Sequence, residues 1–349
     1  MSNLVIDADT HVVENDFIWD HLTEHDKSYR PTVVTDQATG KEFSVIDGTL
    51  YPKGGQKLIA YPDGTRDLAD VDTRLQQMRS FGVNVQIIYP SLFLGLRAKK
   101  PETELALVRC YNRWLAETCA THGANHGATQ GAALKWVAVP STMNVSQSVA
   151  DMEEWAKRGA CGLLIKGFEG ERTVNHKDLW PLYAKASDLG LPICVHIGHS
   201  SSGLAGIDGM AGNPVGLVMS NLVAFSSLVC SDLPAAFPDL KWGFIESGSE
   251  WAGFAISRSE RYQARYDIQN HTETMLANKR LFITCEFHEN INRTIERVGE
   301  DCLMIGTDYG HSDTSTELEA LKLLENRDDI DAGMASKITR ENPAQFYRL

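Results

Sequence analysis

LVIDADTHVVE, residues 4–14, opens as a short apolar run and then sets Asp9 and His11 two positions apart. Side chains alternate across an extended strand, so these two project from one face and are placed to grip one cation. Seven further runs of the same kind follow: VQIIYP (85–90), KWVAVP (135–140), GLLIKG (162–167), PICVHIG (192–198), KWGFIES (241–247), LFITCEF (281–287) and LMIGTD (303–308). The segments between them are long enough for helices. DVDTRLQQMRSFG, SVADMEEWAKRGA and KDLWPLYAKASDLG carry apolar residues three and four apart and stop at or near glycine. Eight strands alternating with helices predict an α/β fold, a closed (β/α)8 TIM barrel, ahead of an open doubly wound sheet.

Length agrees, since 349 residues make one barrel of roughly 250 residues plus insertions. We expect a single domain over 1–349, with an insertion at about 29–70 after the first strand. Within it, GKEFSVIDGTLYPKGG (40–55) reads as a small hairpin turning at Asp47-Gly48 and capping the barrel mouth. SSSGLAGIDGMAGNPVG (200–216), rich in Gly and Ser, reads as a loop after the fifth strand, either a cover for a site or a plain connection.

A formal net charge of −13 argues against nucleic acid and against anionic membrane surfaces as partners. No segment approaches the roughly 20 apolar residues of a membrane span. The seven cysteines (110, 119, 161, 194, 230, 285 and 302) lack C-x-x-C spacing and read as reduced core residues. MSNLVIDADTHVVE has no basic start and no long apolar stretch, so a cytoplasmic location is expected.

In a barrel the C-terminal strand ends converge on one face, which makes polar residues at those ends the candidates for chemistry. That filter selects Asp9 and His11, Lys166, His196 and His199, Glu246, Glu286 and His288, and Asp308 and His311. A lone histidine in PICVHIG is ordinarily a hydrogen-bonded core residue, but the coincidence of Asp9, His11, His196 and Asp308 at strand ends points to a metal site. Imidazoles with carboxylates suit Zn, Mn or Fe better than Mg or Ca.

IDADTHVVE (6–14), LGLPICVHIG (189–198), FPDLKWGFIESGSEW (237–251), MIGTDYGHSD (304–313) and ENPAQFYRL (341–349) resemble, in that order, the amidohydrolase-related family, the branch containing the metal-dependent decarboxylases. The resemblance implies a metal between the first, fifth and eighth strands, held by Asp9, His11, His196 and Asp308. It fails at one place, because those decarboxylases carry a histidine at the end of the sixth strand where this chain has Glu246. A carboxylate there suits a second cation, and Glu14, His199 and His311 are further candidate ligands. The pattern is similar to the dinuclear oxygenases related to amidohydrolases. That implies an Fe/Fe or Mn/Fe centre with O₂ as co-substrate, hydroxylation of a C–H bond, and Asp308, Glu246 and His311 at the reacting centre. The alternative is one Zn or Mn in a hydrolase or a non-oxidative decarboxylase with Asp308 as base. A third reading is a non-catalytic partner subunit with a structural metal.

Lys166 raises a carbamylated bridge between metals or, more plainly, a pair with Glu169 or Glu171. Glu286 and His288 are candidates for orienting a ligand or for simple ion pairing. His122 and His126, separated by glycines, are expected on a solvated loop. Arg258, Arg261 and Arg265 share a helical face beside Trp251 and Phe254, read as a surface facing solvent or another subunit, so a homo-oligomer is expected and a hetero-oligomer remains open. There is no G-x-G-x-x-G after a strand and no P-loop, so a nucleotide cofactor is not expected; the substrate is taken to be a small organic acid or derivative.

Overall fold

A computed structural model describes residues 4–53, 59–125, 133–204, 215–312 and 314–349. Eight parallel strands form one sheet in chain order: β1 (Ile6–Val12), β2 (Val85–Pro90), β3 (Ala133–Ala138), β4 (Ala160–Lys166), β5 (Ile193–His196), β6 (Trp242–Ile245), β7 (Leu281–Cys285) and β8 (Leu303–Ile305). The sheet closes just beyond β8, where Asp308 N–H donates to Asp9 O at 3.0 Å and His11 N–H donates to Tyr309 O at 2.6 Å. Helices cover the outside, and the architecture is the expected TIM barrel.

All eight runs become strands because each is buried on both faces, the condition of a parallel sheet wrapped by helices. The first strand runs past the apolar run that opens it, LVID (4–7): it pairs with β2 as far as Val12 against Pro90, with a register shift between Asp7 and Thr10. Asp9 and His11 therefore lie inside β1, not beyond it. The three expected helices form as Val71–Ser80, Val145–Lys157 and Trp180–Leu189. The last ends at Gly190 in the left-handed region (φ 67°), which costs glycine no Cβ clash.

The insertion turns at Asp47 and Gly48, both with positive φ as a tight hairpin turn demands. The expected hairpin, Glu42–Ile46 with Thr49–Pro52, gains a third strand, Thr32–Thr35, which its short exposed run had not advertised. Asp47 then accepts the backbone N–H of Lys99 and Lys100 and the Thr103 hydroxyl, pinning the insertion to the start of helix Pro101–Asn125. Tyr61, further along, donates to His311 O at 2.7 Å, so the end of the insertion lies against the strand-end face.

One expectation fails: His122 belongs to helix Pro101–Asn125, not to a loop. Packing of that long helix, with Leu107, Tyr111, Trp114 and Leu115 buried, outweighs the roughly 1 kcal/mol that a glycine costs. His126 and most of the 200–216 loop lie outside the described residues. Among the described residues no helix is long and apolar enough to cross a membrane.

Candidate metal centre

Asp9 and His11 come from β1, His196 is the last residue of β5, Glu246 directly follows β6, and Asp308 and His311 follow β8. Parallel closure brings all six to one rim. His11 Nε2 lies 3.4 Å from Asp9 Oδ1, from Glu246 Oε2 and from Asp308 Oδ1. His196 Nε2 lies 3.4 Å from Asp9 Oδ1 and 3.1 Å from Glu246 Oε2. His311 Nδ1 lies 2.8 Å from Asp308 Oδ1 and 3.9 Å from Glu246 Oε1.

These atoms are buried, and Asp9 Oδ1, His11 Nε2, His196 Nε2, Glu246 Oε2, Asp308 Oδ1 and His311 Nδ1 have no hydrogen-bond partner among the described residues. An isolated orphan of this kind costs about 1–3 kcal/mol, and six gathered in one cluster indicate missing shared partners. Ligand atoms about 2.0–2.2 Å from a cation stand roughly 3.0–3.4 Å from one another. Most of the separations here are edges of such a polyhedron, so the residues fit a metal.

Two overlapping sets of four emerge: Asp9, His11, His196 and Glu246, and His11, Glu246, Asp308 and His311. An imidazole nitrogen has one lone pair and cannot serve two ions. A carboxylate can, and Glu246 turns Oε2 toward His11 and His196 and Oε1 toward His311. If two cations bind, His11 belongs to one of them and Glu246 spans both.

The remaining atoms of these side chains are tied down. His11 Nδ1 lies 2.9 Å from Pro90 O and His196 Nδ1 3.1 Å from Ile197 O, both fit to receive a ring N–H. Asp308 Oδ2 accepts from Thr316 Oγ1 at 2.6 Å, and Ser315 Oγ lies 3.2 Å from both Asp308 Oδ2 and Glu246 Oε1, with one proton to give to either. Glu246 and Asp308 both adopt left-handed backbone (φ 58° and 52°), at a cost of order 1–3 kcal/mol each. That strain is held by Glu246 N–H on Thr284 Oγ1 and Asp308 N–H on Asp9 O. Asn221 donates to the carbonyls of Val195 and Ile245, joining the ends of β5 and β6.

Burial opposes charge on Asp9, yet in the absence of a cation His196 and His11 hold its carboxyl below its usual range. Burial likewise opposes charge on His11, but Asp9 and Glu246 carry it well above its ordinary value. Burial, with Asp308 nearby, pushes Glu246 up to about 8. Three carboxyl groups packed this tightly resist joint ionisation until a cation neutralises them.

Two of the eight residues singled out as ligands fall outside both sets. Glu14 accepts Ser91 N–H at 3.1 Å and Leu92 N–H at 2.8 Å, using both oxygens. His199 is buried with Nδ1 at 3.1 Å from Ser201 O. Lys166 takes the plain alternative, donating to Phe93 O and pairing with Glu169 at 3.3 Å. Glu286 lines a cavity of about 20 Å³ with Asp9, Glu246, Asp308 and Ser315, room for one water, while the exposed His288 pairs with Glu286. Arg258, Arg261 and Arg265 are exposed along a groove of about 570 Å³ that shares no lining residue with the cluster. Sequence reading missed Ser91, Asn221, Ser315 and Thr316. Ser91 directly follows β2 and was within reach of the strand-end filter, which passed over hydroxyls.

The amidohydrolase family profile matches residues 6–349. The chain belongs to the amidohydrolase family. Among solved structures, this amidohydrolase is similar to an amidohydrolase of Mycobacterium avium subsp. paratuberculosis K-10 (TM-score 0.80, 18% identity, 99% of this chain and 100% of that one). It is also similar to a 5-carboxyvanillate decarboxylase of Novosphingobium aromaticivorans complexed with manganese (TM-score 0.66, 15% identity, 99% and 96%). A third is the 4-oxalomesaconate hydratase of Rhodopseudomonas palustris (TM-score 0.65, 14% identity, 99% and 96%). At these identities the likeness establishes the fold.

Proposed function

We propose that this amidohydrolase is a divalent-metal-dependent lyase or hydrolase that acts on a small organic acid or its derivative without O₂. The observation that carries the reading is the gathering, at the strand-end face, of six buried donor atoms with no hydrogen-bond partner among the described residues. Asp9, His11 and His196 would hold the principal cation, Mn or Zn, with Glu246 the fourth donor of their set and Asp308 beside His11. A bound cation there supplies Lewis acidity, polarising a substrate oxygen or acidifying water. Asp308, with one oxygen facing the cluster and the other fixed by Thr316 and Ser315, is the residue set to hold or pass a proton. Glu246 stands where the related decarboxylases have histidine and meets the same Ser315 hydroxyl as Asp308, so it is placed to exchange protons beside Asp308. The decarboxylase and hydratase among the similar structures support a carboxylic acid substrate.

A second reading rests on the same Glu246. Three carboxylates around one dication leave an excess negative charge that repels an acid substrate, whereas a second cation bridged by Glu246 reverses it. Two irons, or manganese with iron, would support an oxygenase, with His311 and Asp308 on the second ion.

The experiment that separates them measures metals per chain and then turnover of a panel of aromatic and unsaturated carboxylic acids under nitrogen and under air. Turnover under nitrogen, with CO₂ release or hydration, is expected. Turnover that requires air and consumes O₂, with two irons per chain, would overturn the first reading in favour of the second.

A further inference from the structure

The segment that leaves β2, Pro90 to Leu92, touches the candidate metal centre without supplying a ligand to it. Pro90 O faces His11 Nδ1 at 2.9 Å. Ser91 Oγ lies 2.9 Å from Val12 O and 2.8 Å from His311 Nε2. A hydroxyl has one proton. The Val12 carbonyl can only accept, so the Ser91 proton goes there, and the same oxygen must then accept from His311. That places the His311 ring proton on Nε2 and leaves Nδ1 bare, and Nδ1 is the atom that has no hydrogen-bond partner among the described residues and faces Asp308 Oδ1 at 2.8 Å and Glu246 Oε1 at 3.9 Å. Glu14 completes the device by holding the backbone N–H groups of Ser91 and Leu92 on its two oxygens.

We propose that Ser91, anchored by Glu14, is a positioning residue that fixes the His311 tautomer and so presents Nδ1 to a cation. The proposal rests on the metal-dependent reading above and deepens it: Glu14 serves the site through Ser91, not as a ligand. The hydroxyl that faces Nε2 lies 220 residues away in sequence. Outer partners of this kind typically carry 10–100-fold of metal affinity.

The test is long-range ¹H–¹⁵N correlation on histidine-labelled full-length protein, metal-free and with zinc, His311 being identified by its loss in His311→Gln. Wild type is expected to carry the proton on Nε2. Ser91→Ala should mix or invert the tautomer and weaken zinc binding 10–100-fold, while Ser91→Thr, which restores the hydroxyl, should recover both. Ser91→Val, a near match to Thr in shape, guards against a packing effect and should behave as Ser91→Ala. The proposal is overturned if wild-type His311 is protonated at Nδ1. It is equally overturned if Ser91→Val matches Ser91→Thr, or if affinity falls while the tautomer stays. Should wild type bind no divalent ion, the functional reading fails, and the metal-free spectra still decide the tautomer: Nε2–H in wild type lost in Ser91→Val supports the proposal, Nδ1–H refutes it.

Discussion

His11 and His311 lie ring on ring, with centroids 3.8 Å apart and planes 19° from parallel. Two imidazolium ions would repel at that spacing, so the stack suits neutral rings offering bare nitrogens to a cation. Without the cation, the carboxylates of Asp9 and Glu246 overcome burial and draw a proton onto His11. Metal and proton therefore compete. Zinc affinity is expected to climb by roughly tenfold per pH unit for each proton displaced as pH rises from about 6 to 8. Isothermal titration in buffers of differing ionisation heat measures both affinity and proton release, and a pH-independent affinity with no release would refute the competition.

Removing a donor should be far more damaging than removing an outer partner. His196→Ala and Asp308→Ala are each expected to abolish metal retention and activity, a larger loss than the 10–100-fold typical of outer partners. Elemental analysis of the dialysed proteins is the check; either variant emerging fully loaded and active would remove that residue from the site.

Gly306 lies against β1 so closely that an added Cβ would sit 2.4 Å from Asp9 Cβ and 2.9 Å from Asp9 N. Backbone cannot yield as a flexible side chain can. Gly306→Ala should destabilise by about 1–3 kcal/mol and shift the Asp9 carboxylate, lowering both the melting temperature and metal affinity. A variant with wild-type melting and zinc binding would show that β1 has more room than these distances allow.

Asp7 is fully buried beneath the cluster, bonded to Thr307 N–H at 2.8 Å and to the Thr307 hydroxyl. Burial raises its carboxyl from 3.8 to about 7, against those hydrogen bonds. A folded-state pKa above the unfolded one favours the protonated form, so the contribution to stability is fully present below about pH 4 and is lost as pH rises through about 7. Asparagine cannot ionise. In metal-free protein, the stability of wild type minus that of Asp7→Asn should fall across that window, by up to a few kcal/mol, and level off above it. Paired urea melts at several pH values read the difference, and a constant gap would dismiss the linkage.

The strands were legible because a parallel sheet buried on both faces writes itself as continuous β-branched runs, and eight such runs were countable. Asp9 and His11 were legible for a related reason: spacing of two on a strand fixes a shared face wherever the strand ends. His196, Glu246 and Asp308 could be placed at strand ends, but not at 3.1 to 3.4 Å from their neighbours, because separation in space depends on how a barrel closes. The third insertion strand and the helical His122 were misjudged where local propensity was weak and tertiary packing decided.

Local chemistry thus settled the fold and nominated the donors, since periodicity and strand-end position are properties of short segments. Closure of the barrel decided the rest: that Glu246 turns one oxygen toward each half of the cluster, that Glu14 grips the Ser91 backbone, and that Ser91 faces His311. Those relationships join residues tens to hundreds of positions apart, and hydrogen-bond partners at such separations are chosen by three-dimensional packing.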